Sequence, residues 1–539
     1  MAKGHQRRNQ LFFKYLSVAV AVVAMGACTK KGNDGGLDIR ETLRVNVDTE
    51  PPTLDWTKGT DTTSSTITVN LMDGLTDYNL TDPELKIIPA LAEKWESSEK
   101  SKVWTFHIRK GVHWTDNVEL TAQHFIDSWE RLLNPKTASE YSYFLFGLKN
   151  GKAYNEKKIK DFSEVGVKAT DPYTLVVTLE QPASFFPELV AHQSTYPIRK
   201  DIIEKYGEDA WTSPGKIVTL GAYKLKAWEH DKSLVLERNE SYYGEKAKIK
   251  NVLCYMVIEG ATALNMFETG KIDVQNNFTT SAEMDKWSKK PEFHSINGLT
   301  LQYYGFNVTK KPFDNPLVRK AFAQAIDKSE IVHILKGGQT PTTSWIPAGM
   351  MGYEAARGVK FDVVKAKELL VKAGFGPGKK LPKVTLMLNT NDDHKRIAEN
   401  VQAQLKRNLD VDIEVQNEEW KVYLDRLKVD PPSLFRLGWQ ADYPDPDNFM
   451  NLMTSYSEQN RTKWKNKSYD KLIENAVSEG DSEKRKSLYS KAQTILVDED
   501  IPAIPLYLAA LQKLVSTRVL NYPLNPLDRI ELKGTSLKQ

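Results

Sequence analysis

At 539 residues the chain exceeds what one hydrophobic core sustains, so two or three domains are expected. A hydrophobic fraction of 40% excludes a disordered chain. A net charge of +4, from 74 basic and 70 acidic residues, is too dilute for a nucleic-acid-binding footprint.

Residues 1–28 read as a secretory signal: Lys3, Arg7, Arg8 and Lys14 precede an apolar run from Leu16 to Ala24. Small residues Gly26 and Ala27 lead into Cys28, a pattern similar to a bacterial lipobox, with Cys28 as the expected lipidation site. Residues 29–36 then read as a flexible tether. Only Cys254 remains after Cys28, so the mature chain has no intrachain disulfide and Cys254 is expected to be a small buried apolar residue.

Residues 41–56 begin as a strand that stops at Pro51 and Pro52. Trp104, Phe106 and Ile108 alternate as a strand face, and Thr121 is placed to cap a helix carrying Phe125, Ile126, Trp129, Leu132 and Leu133 on one side. Residues 165–182 and 222–239 read as hairpins, the first turning at Asp171-Pro172. Beyond Leu317 the texture becomes α/β: RKAFAQAIDKSEIVHILKGG reads as helical up to its glycines, and a further helix is bounded by Asp362 and Gly374. Residues 383–389, 395–409 and 411–416 make a strand, helix, strand unit.

The run LFRLGWQADYPDP follows, at the end of that sheet and in the loop beyond it, where open sheets commonly bind ligands. Arg436 offers a fork of donors suited to a carboxylate, and Asp442 beside aromatics suits an ammonium group. Together they fit a ligand charged oppositely at its two ends. Locally the same residues also read as a surface strand and a proline-bounded turn.

The chain contains no G-x-S-x-G, H-E-x-x-H or C-x-x-C motif, and GFGPGKK at 374–380 lacks both the first glycine and the final Ser or Thr of a phosphate loop. The nine histidines show no ligand-like spacing, so neither a metal nor a cofactor is expected.

From Glu41 to the C-terminus the chain resembles the OppA-type oligopeptide-binding proteins, the family 5 solute receptors of ABC importers. The segments that carry the likeness are WTFHIRKGVHWTDNVELTAQHFIDSWERLL, VTLGAYKLKAWEHDKSLVLERNESYY, KPFDNPLVRKAFAQAIDKSEIV, LNTNDDHKRIAENVQAQL and GWQADYPDP. The resemblance implies an α/β fold, a periplasmic-binding-protein-like three-lobed clam (class II, cluster C type) with mixed sheets and a hinged cleft. Lobe I falls at 37–76, 200–299 and 510–539, lobe II at 77–199 and lobe III at 300–509.

Extended peptides are expected to pair with strands, leaving side chains in hydrated pockets. The family's contacts carry over to Asp442 for the peptide's α-ammonium and to Arg436, His394 and Lys336 for its α-carboxylate. Trp439 matches a pocket wall and His192 a cleft histidine. The implied protein is a non-catalytic, monomeric receptor, periplasmic or at the cell surface. It is anchored to a membrane through Cys28 and delivers short peptides to an ABC permease. The alternatives are a receptor for a narrower ligand (a murein tripeptide, nickel chelate or haem) and a peptidase sharing the fold.

This chain departs from the family pattern at several positions. A cysteine pair of enterobacterial members is replaced by Thr300 and Gln440, acidic positions by Ser64 and Gly305, and an Asn-Gly turn by Leu220-Gly221.

Overall fold

The computed structural model describes residues 36–538 except 279, 280 and 377. The signal sequence, Cys28 and all but the last residue of the tether lie outside the described residues.

The largest element is an eleven-stranded mixed sheet. On one side, Thr42–Asn46 runs parallel to both Asn251–Tyr255 and Val274–Gln275, and the hairpin Tyr223–Glu229/Ser233–Arg238 extends this side to an edge. On the other side, Val384–Asn389 lies parallel to Ile413–Glu418 and to Leu434–Gln440, with helix Asp392–Leu409 making the first crossover. The two halves, which the resemblance treats as separate lobes, are one sheet. They are joined by two long antiparallel strands, Phe293–Phe306 of 14 residues and Ala503–Val515 of 13. Their pairing is interrupted between Asn297/Ala510 and Leu301/Leu508. Neither strand is evident in the sequence, because Leu301, Tyr303, Tyr304 and Phe306 are all buried and give no alternation.

Residues 77–199 hold a separate four-stranded antiparallel sheet, Ala92–Ser98, Val103–Ile108, Thr174–Thr178 and Val167–Asp171. Helix Ala122–Leu133 packs on it. The Thr121 N–H donates to His124 Nδ1 at 3.0 Å, and Phe125, Trp129, Leu132 and Leu133 are fully buried. Each such side chain contributes about 1.5–3 kcal/mol by leaving water.

Two local expectations change. The helical run after Leu317 is two helices, Pro316–Ala325 and Lys328–Leu335, because Asp327 accepts from the Ser329 N–H at 2.9 Å and starts a new one. A helix, Trp420–Val429, also intervenes before the Leu434–Gln440 strand. Cys254 is buried, and burial pushes its thiol up to about 12. Among the described residues, no helix is long and apolar enough to cross a membrane.

Candidate ligand-binding site

The Leu434–Gln440 strand places Arg436 and Trp439, and the loop after it places Asp442. Three aspartates in that loop have different duties. Asp445 is clamped by Arg485 through two bonds of 2.7 and 2.8 Å, and Asp447 accepts from the Tyr443 hydroxyl at 2.8 Å. Asp442 is the one whose carboxylate accepts a hydrogen bond from the 77–199 segment. Its Oδ1 accepts from the Tyr141 hydroxyl at 3.1 Å and lies 3.3 Å from His192 Nε2, while its Oδ2 accepts from Asn448 Nδ2 at 3.0 Å.

The Ser194 N–H donates to His192 Nδ1 at 3.3 Å, which leaves the ring proton on Nε2, pointing at Asp442. Asn448 Oδ1 accepts from both the Asp442 N–H and Trp439 Nε1, locking the strand end to the loop. Trp439 is buried with its ring 6.4 Å from that of Tyr141. No Lys or Arg among the described residues pairs with Asp442. The neighbouring charge does have partners: Glu140, next to Tyr141, is held by Arg461 and, at 3.2 Å, by Lys428. Tyr141 and Tyr143 stay protonated, because burial and then the nearby Asp442 raise them well above the usual phenol range.

Arg436 is built differently. It stands opposite Tyr304 in the antiparallel ladder, and its guanidinium donates to Asn389 Oδ1 at 3.2 Å and to Gln302 Oε1. Gln302 reaches it because its cross-strand partner is Gly438, where a Cβ would stand 2.6 Å from the Gln302 side chain. The guanidinium makes no ion pair among the described residues. Burial lowers its pKa, and the surrounding hydroxyls of Tyr303, Tyr304, Tyr423 and Tyr507 offset this only in part.

His394, in the first turn of helix Asp392–Leu409, lines a small cavity together with Arg436, Gln302 and Tyr507. Burial, then the adjacent Arg436 charge, pushes its imidazole well below its ordinary range, and its Nδ1 has no hydrogen-bond partner. Lys336 is not brought to this cavity. It follows helix Lys328–Leu335 in a left-handed conformation and pairs, half exposed, with Asp285 at 3.1 Å.

The departures have structural correlates. Thr300 and Gln440 are direct cross-strand partners, and Gln440 instead donates to the Leu527 carbonyl. At Gly305 a Cβ would lie 2.3 Å from the Phe435 ring, so no acidic side chain fits there. Sequence reasoning missed Tyr141, Asn448, Gln302 and Asn389. They are remote in the chain or bear common uncharged side chains, and only the Gly438 opposite Gln302 hints at one of them.

The model for bacterial extracellular solute-binding proteins, family 5 Middle, matches residues 86–461. The chain belongs to that family. The periplasmic oligopeptide-binding protein OppA of Salmonella typhimurium is 35% identical over 96% of both chains. The structure of the Escherichia coli murein tripeptide binding protein MppA superposes with a TM-score of 0.88 at 30% identity, covering 93% of this chain and 99% of that one. A Haemophilus influenzae OppA complex with the peptide RPPGFSPFR gives 0.87 at 30% identity, over 93% and 100%. The unliganded open form of MppA, equal in identity and covering 93% and 98%, gives only 0.63. The present arrangement is therefore not that open one, in keeping with the contacts that Tyr141, His192 and Glu140 make across the interface.

Proposed function

We propose that this chain is an extracytoplasmic receptor that encloses a short peptide, releases it unchanged and passes it to an ABC permease. The observation that carries this is the pairing of complementary vacancies in charge: among the described residues Asp442 has no lysine or arginine partner, only the His192 imidazole at 3.3 Å, and Arg436 has no carboxylate partner. A peptide's α-ammonium supplies the first and its α-carboxylate the second. The His394 imidazole stands beside Arg436, and Lys336 reaches the carboxylate only in ligands long enough to compete with Asp285.

In this reading the first lobe is 37–76, 200–299 and 510–539, the second 77–199 and the third 300–509; the separate four-stranded sheet supports the second as a unit of its own. The interrupted pairing near Asn297 and Ala510 supports a hinge there. Cys28 holds the protein to a membrane, and the receptor works as a monomer.

Native mass spectrometry of protein incubated with a mixture of di- to pentapeptides tests this reading. Intact peptides carried at one per chain are expected. Cleaved products, or no bound peptide at all, overturn it.

A further inference from the structure

Asp61 stands where three parts of the chain meet. It precedes helix Thr62–Leu71, the Trp420 indole reaches it from the 300–509 segment, and it is close enough to act electrostatically on the Tyr141 hydroxyl of the 77–199 segment. Its Oδ1 caps the helix by accepting from the Ser64 N–H at 2.9 Å. A cap explains one oxygen only. Ser, Thr or Asn would cap as well without a charge, and a capping aspartate ordinarily leaves its second oxygen to water.

Here the residue is 7% exposed and Oδ2 is buried with no hydrogen-bond partner. Among the described residues Asp61 makes no ion pair, unlike Glu140 with its two cations. Burial accordingly holds the Asp61 carboxyl above its usual range. A buried carboxylate oxygen is destabilising unless something donates to it.

We infer that Asp61 is a subsite for a cationic side chain of the bound ligand, a lysine or arginine near the peptide's N-terminal end. The inference rests on the peptide-receptor reading. An ammonium or guanidinium donating to Oδ2 fills the missing bond. Asp442 remains for the α-ammonium, so the two carboxylates hold two positive groups on one ligand end.

The test is calorimetric binding of trialanine, the three tripeptides with a single lysine, and the same three with glutamine in place of lysine. Wild type is expected to bind one lysine peptide about tenfold or more tightly than its glutamine counterpart, the factor that one added charge-assisted bond of about 1.4 kcal/mol gives. In Asp61→Asn, which keeps a capping oxygen for Ser64, that ratio is expected to fall to about twofold or less. Binding of trialanine by wild type without any lysine preference overturns the subsite and leaves the receptor standing. A lysine preference that survives in Asp61→Asn also overturns it. Failure of wild type to bind every peptide overturns the receptor reading and the subsite with it.

Discussion

The two charged ends of the site are made in different ways. Arg436 sits within one sheet, with Gln302 and Asn389 on the strands flanking it, so its surroundings persist whatever the 77–199 segment does. Asp442 owes two of its contacts, Tyr141 and His192, to a part of the chain some 250 to 300 positions away. On the proposed reading, the carboxylate end is preformed and the ammonium end is assembled by closure. A clamp built this way orients a ligand on the fixed end and senses its other end as it shuts.

Breaking the assembled end should have the largest effect. Glu140→Ala leaves Arg461 buried without its partner in the closed form, at a cost of about 3–5 kcal/mol to closure. Small-angle scattering should then show a protein that stays extended when peptide is added. Asp442→Ala comes next, weakening peptide binding by about 2–5 kcal/mol in calorimetry. Acetylating the peptide's N-terminus should cost wild type a similar amount and the variant nothing more.

Arg436→Met should lose affinity comparably, yet raise the melting temperature of the peptide-free protein, since it removes a partly buried cation that has only neutral partners. A lowered melting temperature would show that the end is not held ready at a cost. Tyr141→Phe should weaken peptide binding by only about 1 kcal/mol, the worth of one hydrogen bond.

The smallest effect concerns pH. The folded His394 imidazole titrates well below its ordinary 6.5, so below pH 6.5 the unfolded chain binds a proton that the folded chain refuses. On this group's account stability falls as pH drops through that region and is level above it. His394→Gln removes the penalty, so its melting temperature relative to wild type should rise between pH 7 and pH 5. No such convergence would mean that the imidazole accepts the proton in place.

The helix after Thr121, the hairpins at 165–182 and 222–239 and the strand, helix, strand unit ending near residue 418 were readable because each rests on local periodicity and caps. The two long strands joining the halves of the great sheet were not, since residues 301–306 and 503–508 are largely buried on both faces. The break at Asp327 was written in a capping residue inside an otherwise helical pattern.

At the candidate site, Arg436 and Asp442 could be singled out because charge beside an apolar strand is locally conspicuous. Their division of labour could not, since three aspartates within six residues look alike until Arg485 takes one and Tyr443 another. By itself the sequence determined the elements with strong local signals, the family, and which residues carry the charge. Tertiary structure alone decided which charges are already neutralised, which remain open, and that Lys336 turns to Asp285. The physical reason is that periodicity and capping act within a few residues, whereas burial and ion pairing depend on groups brought together from hundreds of residues apart.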